Sequence, residues 1–353
     1  IVGSAAMPVK PCRALRRGTR FAACNGWQPP CGHATLQAHF QHATAMEPSH
    51  PARVSPRRSL PSQQRGSARS AKPLQTMHFQ RSRFLPWISA ACLGAALLAG
   101  AAWAGTAEGV RAYDRGQFAL AAKELQPAAQ AGDPEAQFHL GLMHDFGKGV
   151  QLDHAKAAAL YRKAAEQGHA DAQYHLAVSY DDGEGVPQDF KQAVYWYTQA
   201  ANQGLAKAQY NLGVSYDKGE GVAKDHQMAA QWYRKAADQG DSDAQYNLGV
   251  AYDEGEGVPQ DHQQAVAWYR KAAAQNHVRA QFNLAVSYDD GEGVAQDKKQ
   301  AVHWYTKAAE QGDADAQQNL SVMYARGEGV ARDAAKSRYW ARKARESRAR
   351  GED

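Results

Sequence analysis

The most constraining feature of the chain is a 36-residue pattern that recurs six times almost without insertions or deletions. Each copy carries an Ala-Gln dipeptide, and five copies carry a tryptophan where the first copy has Leu160. The glutamines are Gln137, Gln173, Gln209, Gln245, Gln281 and Gln317, and the tryptophans are Trp196, Trp232, Trp268, Trp304 and Trp340. Identical spacing predicts a stack of identical units, because each unit buries its apolar face against its neighbours. Such a solenoid usually offers surface to a partner rather than carrying out chemistry.

Charge divides the chain into two parts of opposite sign. The 353 residues carry a formal net charge of +5, but residues 1–104 hold 13 Lys/Arg against the single acid Glu47. Residues 105–353 hold 28 Lys/Arg and 35 Asp/Glu, so the repeats are acidic. An acidic array repels phosphate backbones and favours a basic or neutral partner, so we predict no nucleic-acid binding.

Cysteine usage separates the same two parts. Cys12, Cys24, Cys31 and Cys92 all precede residue 105, and the repeats contain none. The repeats therefore have neither disulfides nor thiolate metal sites. This composition is compatible with an oxidising compartment.

Residues 77–104 have the pattern of a signal peptide. Arg81 and Arg83 precede an apolar Ala/Leu-rich run, and Ala102-Trp103-Ala104 matches a signal-peptidase site with cleavage after Ala104. We therefore expect a periplasmic or secreted protein. The alternative is an uncleaved inner-membrane anchor, because the uncharged stretch 84–106 is just long enough to span a bilayer.

Residues 1–76 are rich in Arg, Pro, Ser and His and show no apolar period, which is typical of a disordered segment. A signal peptide normally stands at the start of a protein. We therefore expect Met77 to be the true start, with residues 1–76 a mis-called upstream extension.

One repeat, 205–240, shows the local logic of all six. Ala208, Leu212 and Tyr216 share one face of a helix predicted over 206–218. Gly219 is expected to end this helix in the left-handed conformation, as part of a Gly-Glu-Gly-Val loop that we interpret as a structural turn. Gly213 marks a point where a neighbouring helix comes close.

A second helix follows each loop. Asp225 is its predicted N-cap, with equivalents at Asp153, Asp189, Asp261, Asp297 and Asp333. Three of these caps have a Gln three residues later, which predicts a capping box. The apolar face of the second helix in repeat 205–240 is predicted to comprise Ala229, Trp232, Tyr233, Ala236 and Ala237. Because the tryptophan recurs in each copy, we interpret it as inter-repeat core.

These residues resemble a known family. The pattern A-x-A-Q-Y-N-L-G-V-x-Y-x-x-G-x-G-V followed by A-x-x-W-Y-x-K-A-A-x-Q-G is similar to the Sel1-like repeat of the tetratricopeptide superfamily. The resemblance implies an all-α, right-handed α/α superhelical solenoid that acts as an adaptor or scaffold in protein complexes, without a cofactor. It assigns residues 133–348 to six repeats, 105–132 to a TPR-like N-terminal capping helix pair, and 349–353 to a charged tail.

By the same resemblance, the first helix of each repeat lines a concave surface. Its exposed face would present an aromatic residue, an aliphatic residue and an acid from each repeat, together with Lys218. The predicted partner-binding residues are Phe138, Tyr174, Tyr210, Tyr246, Phe282, Val178, Val214, Val250, Val286, Asp181, Asp217, Asp253, Asp289 and Lys218. We expect a protein or peptide ligand, and the acids favour a basic one. The alternative is that the aromatics pack between repeats and the aspartates are solvated.

Other functions have weaker sequence support. Ser215-Tyr216-Asp217-Lys218 is the one S-x-x-K, and it lacks the further motifs of Ser-Lys acylation. One cysteine-rich branch of the family carries a β-lactamase-type label, but these repeats have no cysteine. His139 and His175 occupy a position filled elsewhere by Asn, so we interpret them as inter-repeat contacts. No catalytic, cofactor or metal residue is predicted, and binding of envelope glycan or peptidoglycan is the second functional alternative.

Overall fold

The computed structural model describes residues 105–351, which form fourteen helices joined by turns, with no strand among them. The predicted signal peptide 77–104 and the Arg/Pro-rich stretch 1–76 lie outside the described residues. Helix α1 covers 105–114. The following helices are α2 Phe118–Gln130, α3 Pro134–Asp145, α4 His154–Glu166, α5 Ala170–Asp182, α6 Phe190–Asn202, α7 Ala206–Lys218, α8 His226–Asp238, α9 Ser242–Glu254, α10 His262–Ala274, α11 Val278–Asp290, α12 Lys298–Glu310, α13 Ala314–Arg326 and α14 Ala334–Arg350. In the described range, no helix is both long and apolar enough to cross a membrane.

Each repeat is a pair of helices, and each helix packs mainly against its neighbours in the sequence. We call α3, α5, α7, α9, α11 and α13 the first helices, and α4, α6, α8, α10, α12 and α14 the second helices. This successive packing of helix pairs is that of an α/α solenoid, as predicted. The predicted limits of α7 are confirmed, and Gly219 ends it with φ of +78°.

The Gly-Glu-Gly-Val loops bring neighbouring repeats into backbone contact. Gly221 has φ of +71°, and a Cβ built on it would overlap the carbonyl oxygen of Phe190, the first residue of the second helix one repeat earlier. Only glycine tolerates both that conformation and that approach. The loop is therefore a structural turn that sets the spacing between repeats.

Aspartates cap all six second helices, as the sequence predicts. Asp225 accepts a hydrogen bond from the backbone N–H of Met228 at 3.0 Å. The predicted capping box is only half formed. Asp189 accepts from the N–H of Gln192, but its own backbone N–H donates to the Tyr180 carbonyl at 2.9 Å. That donor is already satisfied by the preceding helix, so the Gln192 side chain has no role there.

The core consists of alanines, leucines and large aromatics, including one buried tyrosine in each of the first five repeats. Ala229, Trp232, Tyr233, Ala236 and Ala237 are all buried, as predicted. The tyrosine lies against the small residue of the first helix: a Cβ on Gly213 would come within 2.7 Å of the Tyr233 ring. The tryptophan packs across the junction between pairs, where Trp232 joins a cluster that contains Tyr197 of the previous pair and Leu212 of its own first helix. Its interpretation as inter-repeat core is confirmed.

Beside this core, a buried glutamine of each first helix bonds to the ends of neighbouring helices, an arrangement that we call the clamp. Gln209 donates from Nε2 to the Ala201 carbonyl at 3.0 Å and accepts from the Gln239 side chain at 2.8 Å. It thereby joins the end of one second helix to the end of the next. The Nε2-to-carbonyl bond recurs for Gln137, Gln173, Gln209, Gln245, Gln281 and Gln317.

The last repeat closes differently. Gln317 keeps its bond to the Ala309 carbonyl, but its buried Oε1 has no partner in the described residues, because Ser347 stands where the other repeats carry the second glutamine. Helix α14 continues to Arg350, so the first residues of the predicted tail are helical. Arg348 donates to Asp315 at 3.0 Å and ties this extension to α13.

Candidate partner-binding surface

The predicted aromatics lie on the first helices and pack against the tyrosine of the paired second helix. The rings of Tyr210 and Tyr233 lie 6.0 Å apart between centroids. Phe138, Tyr174, Tyr246 and Phe282 repeat this contact with centroid distances of 5.8 to 6.1 Å. The next repeat adds a stacked His277 on Tyr246 at 4.7 Å. These rings therefore contribute to the packing of the two helices in each repeat, in addition to any role in partner binding.

Their exposure varies along the array. Tyr174, Tyr210 and Tyr246 are half-buried, whereas Phe138 and Phe282 are buried. The aliphatic positions behave in the same way, with Val178, Val214 and Val250 half-buried and Val286 buried. The central first helices α5, α7 and α9 thus present a partly open Tyr/Val row, and this row narrows towards α11.

We call the predicted acids Asp181, Asp217, Asp253 and Asp289 the acidic ladder. Three of them bond to a basic side chain within their own repeat. Asp253 Oδ1 accepts from His262 Nδ1 at 2.7 Å, and Asp289 accepts from Lys298 Nζ at 2.6 Å. Asp217 has the same relationship with His226 at 2.6 Å. In each case the basic group is the first residue of the second helix. These carboxylates therefore hold the two helices of a repeat together, a role that the sequence analysis did not identify.

Asp181 differs, because Phe190 occupies the position of the basic residue. Its Oδ2 accepts from the Tyr197 hydroxyl at 3.2 Å. Burial raises the pKa of Asp181, and the neighbouring Asp182 and Glu220 carboxylates add to that rise. Burial and Glu184 raise the pKa of Asp182 as well. The acidic end of α5 is therefore the part of the ladder where negative charge is least compensated.

The residues of the S-x-x-K match do not form a Ser-Lys pair. The buried Ser215 hydroxyl donates to the Asn211 carbonyl at 3.1 Å, within its own helix. Lys218 is exposed, and its Nζ lies 3.5 Å from Glu220 Oε2. In this geometry Lys218 does not act as a base for Ser215. Lys218 is instead an exposed side chain at the end of α7.

The His/Asn position makes inter-repeat contacts, as expected. The His175 ring lies 5.2 Å from that of Tyr161 in the preceding repeat, and burial lowers its pKa. Asn211 donates to the Tyr197 hydroxyl of the preceding repeat at 3.1 Å. His139 lies 5.3 Å from the Tyr113 ring of the N-terminal pair.

One group of side chains has the composition of a metal site. Asp217, His226 and Glu256 each place a ligand atom within 4.8 Å of the others. Glu256 belongs to the loop of the next repeat, and its Oε2 lies 3.8 Å from His226 Nδ1. Sequence reasoning missed this group, although the spacing Asp-x8-His-x29-Glu was visible.

The fold defines a class of protein: an α-helical repeat solenoid of 36-residue helix pairs. The Sel1 repeat family model matches residues 134–169, 170–205, 206–241, 242–277, 278–313 and 314–347. The chain belongs to the Sel1 repeat family. Proteins of this family are commonly protein–protein interaction scaffolds and are generally non-enzymatic.

Two solved structures support this assignment. A protective antigen of uropathogenic Escherichia coli strains, with a Sel1-like repeat fold, is similar with 41% identity and a TM-score of 0.62; the match covers 64% of this chain and 48% of the antigen. The chain thus spans about half the length of that antigen. A Sel1 repeat protein from Oxalobacter formigenes is similar with 35% identity and a TM-score of 0.61, covering 68% of this chain and 96% of that one. No curated protein matches the chain.

Proposed function

We propose that the protein is an exported scaffold that binds an extended segment of a partner protein along the first helices α5, α7 and α9. The observation that carries this proposal is the half-buried Tyr/Val row, which offers one tyrosine and one valine side chain on each of α5, α7 and α9. A row of this kind suits a chain whose apolar side chains enter successive shallow sites. Export rests on the signal-peptide pattern of residues 77–104.

Charge supports a basic partner. Burial and like charge raise the pKa of Asp181 and Asp182 at the end of α5, so ionisation of this group is costly in the free protein. A Lys or Arg of the partner placed there would lower that cost. The net negative charge of residues 105–353 would also speed the encounter at low ionic strength.

The test adds charge to the row by replacing its three partly buried valines, which pack against the core clusters. The triple variant Val178→Lys, Val214→Lys and Val250→Lys places three lysines on the row. Its matched control, Tyr195→Lys, Gln231→Lys and Ala267→Lys, places three lysines at the same spacing on exposed positions of the second helices. Both variants should retain the helical circular-dichroism spectrum of the parent.

Crosslinking mass spectrometry on envelope extract identifies the partner and the contact residues. We expect crosslinks to α5, α7 and α9 that the first variant loses and the control keeps. Capture that disappears after muramidase digestion would instead indicate glycan binding. Crosslinks confined to the second helices, or turnover of nitrocefin by the purified protein, would contradict the proposal.

A further inference from the structure

We propose that Asp217, His226 and Glu256 form a binding site for a divalent transition-metal ion, Zn²⁺ being the representative ion, which joins two neighbouring repeats. The three side chains come from three different elements: the end of α7, the first residue of α8, and the loop after α9. The first two belong to one repeat and the third to the next. An ion bound there would therefore cross the repeat junction.

The donor set fits this class of ion. One imidazole nitrogen with two carboxylate oxygens suits Zn²⁺ and similar metals, whereas Mg²⁺ and Ca²⁺ prefer oxygen ligands alone. The side chains of Asp217, His226 and Glu256 are 40%, 26% and 33% exposed. The ion thus has a path from solvent, and water can complete its coordination.

The distances require only small movements. Bonds of about 2.0–2.2 Å in tetrahedral geometry place ligand atoms roughly 3.3 Å apart. His226 Nδ1 lies 2.6 Å from Asp217 Oδ1 and 3.8 Å from Glu256 Oε2, so these two separations bracket that value. Shifts of less than about 1 Å at side-chain ends would place all three atoms around one ion.

The chain contains its own comparison positions. His262, with Asp253 and Glu292 at the same spacing, repeats the residue types one repeat later. There Glu292 is exposed, whereas Glu256 is half-buried, and the three ligand atoms do not gather within 4.8 Å. Phe190 stands at the His226 position in another repeat, so phenylalanine is compatible with the start of a second helix.

Isothermal titration calorimetry of the full chain with ZnCl₂ tests the proposal, comparing the parent with His226→Phe, Glu256→Gln and the control His262→Phe. Cysteines and histidines before residue 105 contribute equally to all four proteins, so differences isolate this site. We expect His226→Phe and Glu256→Gln to lose one binding event, or to weaken it at least about tenfold. His262→Phe should bind like the parent.

Thermal unfolding gives an independent readout, because an ion that binds only the folded junction raises the melting temperature. Zn²⁺ should raise it in the parent and in His262→Phe, and less in the other two variants. Should His226→Phe fail to fold, the near-isosteric Glu256→Gln decides alone. Equal binding in the parent and both site variants overturns the proposal, and so does equal loss in all three variants.

Discussion

The Gln239 side-chain amide donates to Oε1 of Gln209 at 2.8 Å, although the two residues are 30 positions apart in the sequence. Gln209 passes the connection on to the Ala201 carbonyl, so a single buried side chain contacts the ends of two successive second helices. The strict recurrence of glutamine in the repeat follows from this. A shorter side chain does not reach both partners, and an apolar one removes both side-chain hydrogen bonds, leaving the Ala201 carbonyl with the Gly204 N–H alone.

Replacing Gln209 should therefore destabilise the array more than replacing an exposed glutamine does. We expect Gln209→Ala to lower the free energy of unfolding by about 1–3 kcal/mol, because Ala201 loses a buried hydrogen bond. The exposed Gln227 of α8 is the control, and its change to Ala should stay within about 0.5 kcal/mol. Urea denaturation followed by circular dichroism measures both, and equal effects would contradict the clamp.

The loop glycines allow a comparison at matched backbone conformation. Gly221 and Gly116 have φ of +71° and +72°, but only Gly221 faces a backbone carbonyl; nothing lies within 4 Å of a Cβ on Gly116. Gly116→Ala should cost about 1–2 kcal/mol from the left-handed conformation alone. Gly221→Ala should cost at least about 1 kcal/mol more, because the inserted methyl forces the repeats apart. Similar melting temperatures for the two variants would contradict this close approach.

The half-formed capping box gives a third prediction. Asp189→Ala should cost about 1 kcal/mol, because the Asp189 carboxylate accepts from two backbone N–H groups at the start of α6. Gln192→Ala should change stability by less than about 0.5 kcal/mol, since its side chain does not bond the Asp189 N–H. In a reciprocal capping box the two variants would lose similar amounts, and chemical denaturation distinguishes these cases.

Local features of the fold were predictable from the sequence because their causes are local. The limits of α7, its Gly219 cap and the Asp225 cap each depend on residues three or four positions apart. The burial of Trp232 followed from its recurrence, which implied stacking before any geometry was known. None of these predictions required the relative position of two repeats.

Contacts over longer separations were not predictable in the same way. Gln209 and Gln239 recur as regularly as the tryptophans, but the sequence does not indicate that they bond each other. Asp217 looked like a free surface acid, because its partner His226 is nine residues away, beyond the intervening loop. The role of the Tyr/Val row in partner binding therefore remains a prediction. The aspartates predicted beside it make structural contacts within the repeats.

Asp181 provides the most direct electrostatic prediction. Burial raises the pKa of its carboxyl in the folded protein, so ionisation opposes folding. This penalty is absent below the unfolded pKa of about 3.9, grows as the pH rises from there towards the folded pKa, and is complete above the folded pKa. Asp181→Asn removes the charge and keeps an oxygen that accepts from Tyr197. We expect its melting temperature to exceed that of the parent at pH 7 and to match it near pH 3.

The matched variant is Asp253→Asn, because Asp253 holds the same position in its repeat as Asp181 but has a basic partner, His262. Asp253 accepts from His262 at 2.7 Å and from the Tyr269 hydroxyl at 3.5 Å, so the amide weakens a hydrogen bond from a basic residue that Asp181 does not have. Asp253→Asn should therefore show no gain at pH 7. Melting curves between pH 3 and pH 7 compare the two variants under the same conditions. A loss of stability in Asp181→Asn at pH 7, or a pH-independent difference from the parent, would show that its carboxylate contributes to folding as the other ladder members do.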